Sequence, residues 1–300
     1  MPTYSIDLDK IYTQTLHAEW LHQRKVLLDV LRLDQLHEVV SGNKWFKLKY
    51  YLQDALLSGA TSAATFGGAY SNHIVAFSYA CKQAGIKSTG IIRGEEPSSL
   101  NDSLKDAKNA GMELHFTDRS SYHNREAIKK QFSNIYWVDE GGYGKPGAKG
   151  AAEILSFAPG KEKYTHIVCA VGTGTMMAGL IKSAGIHQHI TGISSMKNNH
   201  TLTSQVKSLL EPHEQQKSFS VMHDFHFGGY AKHPPGLLQF MNEIWLQQLL
   251  PTDIVYTAKT LYGIKQLILN NTIPSGSSVL MIHSGGLQGN RSLPVNTLLF

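Results

Sequence analysis

A chain of 300 residues with 42% hydrophobic and 17% charged residues is long enough for two packed domains, and this composition excludes a disordered or low-complexity protein. The net charge of +5 is modest and the lysines are scattered, so no nucleic-acid partner is expected. No apolar run approaches the roughly 20 residues that span a bilayer, and MPTYSIDLDKIYTQTL lacks the basic-then-apolar start of a secretory signal, so no membrane partner and a cytoplasmic location are expected.

Alternating apolar residues over 25–34 predict a strand, followed by a turn at Ser41, Gly42 and Asn43. Leu48, Tyr51, Leu52, Ala55 and Leu56 recur at helical spacing and Gly59 closes the run, which predicts a helix over 48–57. A short strand over 63–66 then meets the Gly67-Gly68 turn, and a helix over 72–84 ends at Gly85. Strands follow in IKSTGIIRG, GMELHFTD and 135–138, separated by helices over 98–110 and 122–132. Such alternation predicts a parallel sheet with right-handed crossovers. The glycine-rich stretch 138–154 reads as a loop that marks a change of domain. Beyond it lie predicted strands over 166–170, 190–194, 218–223 and 278–283, with helices over 176–183, 201–210, 235–249 and 261–270. Cys81 and Cys169 sit in apolar contexts, as reduced buried thiols do.

Three stretches carry chemistry. In SGNKWFKL a turn leaves Lys44 standing at a helix start with Lys47 one turn on, a place for a reactive amine and a second cation. In AVGTGTMMAG, Gly172, Thr173, Gly174 and Thr175 join a strand to a helix, so their amides and the helix dipole suit a phosphate, although the same pattern also serves tight packing. A dinucleotide would need an acidic residue near the end of the next strand; Gly192 to Ser195 offers none, which favours a single phosphate. In MIHSGG, Ser284 is a neutral hydroxyl suited to a ring nitrogen. These are the requirements of pyridoxal phosphate held through Lys44. A second turn, Gly67 to His73, suits a carboxylate through Ser71, Asn72, His73 and neighbouring amides, with Tyr70 at its border; the duller reading is a simple helix cap. Tyr230 and Tyr256 lie in a glycine-rich loop and at a strand end, where they serve either catalysis or packing. No metal is expected, because the fifteen histidines form no HExxH or Cys/His cluster.

SGNKWFKL, TFGGAYSNH, AVGTGTMMAG, DIVYTAKTLYG and the terminal HSGG, in this order across nearly the whole chain, resemble the fold-type II pyridoxal-phosphate enzymes of the 1-aminocyclopropane-1-carboxylate deaminase and D-cysteine desulfhydrase family. The resemblance implies an α/β fold of two open twisted parallel-sheet domains, tryptophan-synthase-β-like, with a smaller domain (48–140) inserted in a larger cofactor domain (1–47 and 141–300), and a homodimer. It makes Lys44 the Schiff-base lysine, and gives the phosphate to Lys47 and the turn 172–176, Met176 included. It sets Asn72 on the phenolic oxygen, Ser71 and its neighbours on the substrate carboxylate, and Tyr256 and Tyr230 at the reacting centre. The resemblance also sets Thr257 at the cofactor, where it replaces the glutamate that contacts the ring nitrogen in cyclopropane-opening members, and Ser284 stands where desulfhydrase-type members carry a hydroxyl for that nitrogen. A hydroxyl leaves a milder electron sink, adequate for losing a good leaving group from the β-carbon. Phe46, Tyr70 and Met176 depart from the arginine, glutamine and threonine common at their positions. The expected function is thus β-elimination from a small amino acid such as D-cysteine, giving pyruvate, ammonia and sulfide. The alternatives are the deaminase, which yields 2-oxobutanoate, and a non-catalytic binder of pyridoxal phosphate or amino acids.

Overall fold

The computed structural model describes residues 6–300; residues 1–5, part of the N-terminal stretch read above, lie outside the described residues. The chain opens with β1 (Thr13–Leu16), α1 (Glu19–Arg24) and β2 (Leu27–Arg32). Helix α2 (Asn43–Leu57) carries it to a second sheet, built from β3 (Ser62–Gly68), α3 (Asn72–Ala84), β4 (Lys87–Arg93), α4 (Asp102–Asn109), β5 (Glu113–Thr117), α5 (Arg125–Lys129) and β6 (Tyr136–Val138). Helix α6 (Lys145–Ala151) returns it to the first sheet, which is completed by β7 (His166–Val171), α7 (Thr175–Ser183), β8 (His189–Ser194), α8 (Leu202–Lys207), β9 (Phe219–Met222), α9 (Pro235–Gln248), α10 (Thr257–Leu269) and β10 (Ser278–His283). The strand orders are β1-β2-β10-β7-β8-β9 and β5-β4-β3-β6. Every pairing is parallel except that of β1 with β2.

The inner strands are buried on both faces, as sheets covered by crossover helices require, and the edge strands are only half-buried. In β10, Leu280 and Ile282 pack into one core while Val279 and Met281 pack into the other. In β4, Ile91 and Ile92 likewise serve two separate clusters. The two-residue period of the pleat therefore fills both sides of each sheet.

The structure corrects several predicted elements. The stretch 138–154 is not a plain loop, because it contains α6, started by Pro146 in its first turn. Glycine disfavours a helix, yet a Cβ at Gly150 would overlap the Phe46 carbonyl oxygen of α2, and one at Gly147 would overlap the Gly142 carbonyl. Gly150 trades helix propensity for backbone contact between the two helices that cross from sheet to sheet, and Gly147 for close packing on the turn that precedes α6. The helix predicted over 122–132 shrinks to α5, because Asn124 accepts from the Ala127 amide (3.2 Å) and starts it late. Asn101 likewise delays α4 by accepting from the Leu104 amide at 3.0 Å. The antiparallel edge strand β1 and the short helix α1 carry too little periodicity to be read in advance.

Replacing Gly150 with Ala should gain about 1 kcal/mol of helix propensity and lose more to the clash with Phe46. The expected net loss is about 1–3 kcal/mol, read from the denaturant midpoint. A variant as stable as the parent would show that α2 and α6 do not abut through backbone.

Candidate active site

The carboxyl ends of β3, β7 and β10 open onto a cavity of about 680 Å³. Loops and helix starts converge at that edge of open parallel sheets, which makes it the natural ligand site. Every site residue predicted from sequence lines this cavity except Thr257.

Lys44 is placed by the turn before it. The Gly42 amide donates to Leu33 O (3.0 Å) and the Asn43 amide donates to Ser284 O (3.2 Å). Gly42 has φ +65°, and a Cβ there would overlap the Ser284 carbonyl, so the residue must be glycine on both counts. Pinned in this way, the helix starts at Asn43 rather than at 48, and Lys44 and Lys47 share its first turns. Lys44 Nζ donates to Asn43 Oδ1 at 2.7 Å, while Asn43 Nδ2 faces Met176 Sδ at 3.3 Å. Burial lowers the Lys44 amine to about 8, against the opposing charge of Asp253. Burial, and then the charge of Lys44, push Lys47 well below the usual lysine range. No carboxylate among the described residues lies within ion-pair distance of either lysine. Two desolvated cations at a helix start, where the dipole is also positive, lack an anion.

The glycine turn faces them. Gly174 takes a left-handed conformation (φ +82°) as the N-cap of α7, and the hydroxyls of Thr173 and Thr175 lie 3.0 Å apart beside it. The Tyr256 ring covers Gly172 so closely that a Cβ there would touch it at 3.6 Å, and Lys44 Nζ is 5.9 Å from the centroid of the same ring. Tyr256 occupies the N-cap position of α10, not a strand end. Buried Asp253 organises that start by accepting from the amides of Val255, Tyr256 and Thr257, each at 2.9 Å. Thr257 is spent in the same cap: its hydroxyl donates to Asp253 Oδ1 at 2.7 Å, and the residue is fully buried away from the cavity. It therefore cannot contact a ligand there, contrary to the sequence expectation. Burial drives the Tyr256 phenol well above its usual range. Tyr230 packs against it edge to face, with ring centroids 6.1 Å apart.

On the third side, Ser71 caps α3 by accepting from the His73 amide (3.3 Å), so the duller reading of that residue holds as well. Asn72 Oδ1 is buried without a partner among the described residues, and a Cβ on Gly286 would meet Nδ2 of the same amide at 2.9 Å. His73 Nε2 lies 2.9 Å from Thr65 Oγ1, and its buried Nδ1 has no partner. Burial and the charges of Lys47 and Lys44 hold this imidazole well below its usual range. Tyr70 is 62% exposed at the mouth. Ser284, 4% exposed, closes the large-sheet wall.

Sequence reading did not assign Asn43, Arg93, Arg119, His123 or Glu140 to the cavity they line. Arg93 ends a predicted strand, and that position alone could have flagged it. Arg119 sits in a turn that carries no pattern, and His123, read from sequence as part of a helix, ends a single 3-10 turn. The residues present fit pyridoxal phosphate: an unpaired cation pair, a left-handed glycine turn at a helix start, a neutral hydroxyl, and an Asn72 amide with unspent hydrogen-bonding capacity.

Residues 11–285 match the family model described as pyridoxal-phosphate dependent enzyme. A Thermotoga maritima protein, provisionally assigned as a 1-aminocyclopropane-1-carboxylate deaminase, is 32% identical over 283 residues, covering 86% of this chain and 88% of that protein. A mitochondrial Arabidopsis thaliana protein named bifunctional D-cysteine desulfhydrase/1-aminocyclopropane-1-carboxylate deaminase is 26% identical, covering 83% of this chain and 70% of its own length. Among solved structures, an ACC deaminase homologue superposes with a TM-score of 0.80 at 24% identity, over 95% of this chain and 92% of that one.

An amine lowered to about 8 from 10.5 is neutral through most molecules above that pH, and only the neutral form attacks an aldehyde. In cofactor-free protein, reductive trapping of an aldehyde at Lys44, followed by mass spectrometry, should rise with pH through a midpoint near 8. A midpoint above about 10 would show an amine in the ordinary lysine range, with no effect of desolvation.

Proposed function

Because this chain belongs to the pyridoxal-phosphate dependent enzymes, we propose that it removes a leaving group from the β-carbon of a small amino acid, with D-cysteine giving pyruvate, ammonia and sulfide. The observation that carries this choice is the character of the large-sheet wall. It offers the Ser284 hydroxyl, and Glu140, the one carboxylate lining the cavity among the described residues, is already paired with Arg125 at 2.6 Å. A neutral partner for the ring nitrogen suits loss of a good leaving group better than opening of a strained ring.

Bound pyridoxal phosphate would supply an electron sink conjugated to the substrate α-carbon. Lys47 and the amides of 172–176, beside Met176, would hold its phosphate, and Asn72 its phenolic oxygen. Ser71, His73 and the amides between them would hold the substrate carboxylate, with Tyr70 at the entrance. Lys44, neutral above about pH 8, takes the α-proton. Tyr256, kept protonated by its burial, donates to the departing sulfur, and Tyr230 packs against it to fix its ring. Base and acid are thus set apart by one cause, because desolvation favours the neutral form of each.

A second reading, 1-aminocyclopropane-1-carboxylate deamination to 2-oxobutanoate, is supported by the names of both relatives. The wider expectations also stand as proposals: a large domain of 1–47 and 141–300, a smaller one of 48–140, a cytoplasmic location, and a homodimer that sedimentation equilibrium would test. No helix among the described residues is long and apolar enough to cross a membrane.

Purified protein should show the visible absorption band of bound pyridoxal phosphate and release pyruvate from D-cysteine. Lys44→Ala should abolish both. Tyr256→Phe should keep the band and lower kcat by about 10²-fold. Release of 2-oxobutanoate from the cyclopropane amino acid, with none of pyruvate from D-cysteine, would replace the first reading by the second.

A further inference from the structure

The small-sheet wall of the cavity carries positive charge for which the proposed reaction has no use. Arg93 is the last residue of β4 and stands in register with Gly68 of β3, where the turn to Ser71 begins. Arg119 and His123 follow β5, the next strand outward, and all three side chains line the cavity. Glu140 cannot offset them. Its carboxylate is paired with Arg125 and accepts from the Tyr122 hydroxyl at 3.2 Å. Arg93 makes no ion pair among the described residues; its guanidinium lies 5.7 Å from the centroid of the Tyr122 ring, which leaves its fork of N–H groups unspent. Nor do Arg119 and His123 form an ion pair among the described residues. The phosphate-binding elements belong to the other sheet, so Arg93 and Arg119 are not needed there.

Resting on the β-elimination reading, we propose that the site favours, over cysteine itself, amino acids whose β-substituent carries an oxyanion such as phosphate or sulfate, with Arg93 as its main contact. A guanidinium pairs with such groups through two parallel N–H donors, which a neutral substituent does not repay. One strand further out, Arg119 adds charge and His123 an imidazole that can hydrogen-bond. For a β-phosphate the balance is simple. The α-C–H bond breaks with its proton going to Lys44, and the Cβ–O bond breaks with its electron pair leaving on phosphate. One water then converts the remainder to pyruvate and ammonia.

The test uses holoenzyme with two probes, O-phosphoserine and β-chloroalanine, each as both enantiomers. Binding is read by tryptophan fluorescence and turnover by pyruvate. Arg93→Met should lower the preference for phosphoserine over chloroalanine about tenfold, and Arg93→Lys should restore part of it. A ratio that moves less than about threefold, including the case in which both probes weaken together because Arg93 serves the α-carboxylate, overturns the proposal. If Arg93→Met does not fold, Arg119→Met decides, with a fall of at least about threefold required. Failure of wild-type holoenzyme to release pyruvate from either probe would sink the β-elimination reading instead, and the fluorescence ratio would still decide the role of Arg93.

Discussion

Position 44 depends on a junction between segments far apart in sequence, where the turn at Gly42 closes on the carbonyl of Ser284. Buried Asp34 holds that junction from beneath. Arg32 donates to both of its oxygens at 2.8 and 2.7 Å, and His283 Nδ1 lies 3.1 Å away. Burial alone would raise the Asp34 carboxyl, but His283 and Arg32 hold it below the usual range. The Ser41 hydroxyl donates to the Asp34 carbonyl at 3.4 Å, so this one residue ties the ends of β2 and β10 to the turn before α2. The amine of Lys44 and the hydroxyl of Ser284 are thereby fixed relative to each other. Desolvation offsets much of the attraction in a buried pair of this kind, so its presence is weak evidence for added net stability.

The second determinant is desolvation. It lowers Lys44 and Lys47 and raises Tyr256, moving amines and phenol toward their neutral forms. Asp253 restrains the first of these effects from a distance while capping α10 at close range. The same carboxylate acts on buried Lys259, whose amine burial lowers to about 8. Lys259 donates to the carbonyls of His226 and Gly229 at 2.9 and 2.7 Å, and so holds the loop that presents Tyr230. Charge at the start of α10 and the position of both tyrosines are therefore coupled.

A cavity between two sheets is only as well defined as the placement of one sheet on the other. Here the two crossing helices set it. Besides the glycine contact of Gly150 with Phe46, Lys49 pairs with Glu153 just beyond α6, and the Tyr50 hydroxyl donates to the same carboxylate at 2.7 Å. The Tyr51 hydroxyl donates to the Tyr143 carbonyl ahead of α6. Because α2 begins at the reactive lysine, the element that joins the sheets is also the one that carries the chemistry.

By itself the sequence determined the alternation of strands and helices, the strand at 278–283, the helix at 72–84, and, to within about two residues at each end, the strands read over 63–66 and 86–94, because pleat and helix periods are local properties of the chain. It also singled out Lys44, the glycine turn and the Ser71–Asn72 turn, since each is a short run whose backbone chemistry is readable in place. Tertiary structure decided the rest. It alone made α6 a helix, because the reward for Gly150 lies in another helix. It alone turned Thr257 to Asp253, because a cap is chosen by a carboxylate four residues away and by the burial around it. It alone brought Arg93, Arg119 and His123 to one wall, because adjacency across a sheet depends on strand order, and strand order is settled by which apolar faces bury one another rather than by any residue's neighbours in the chain.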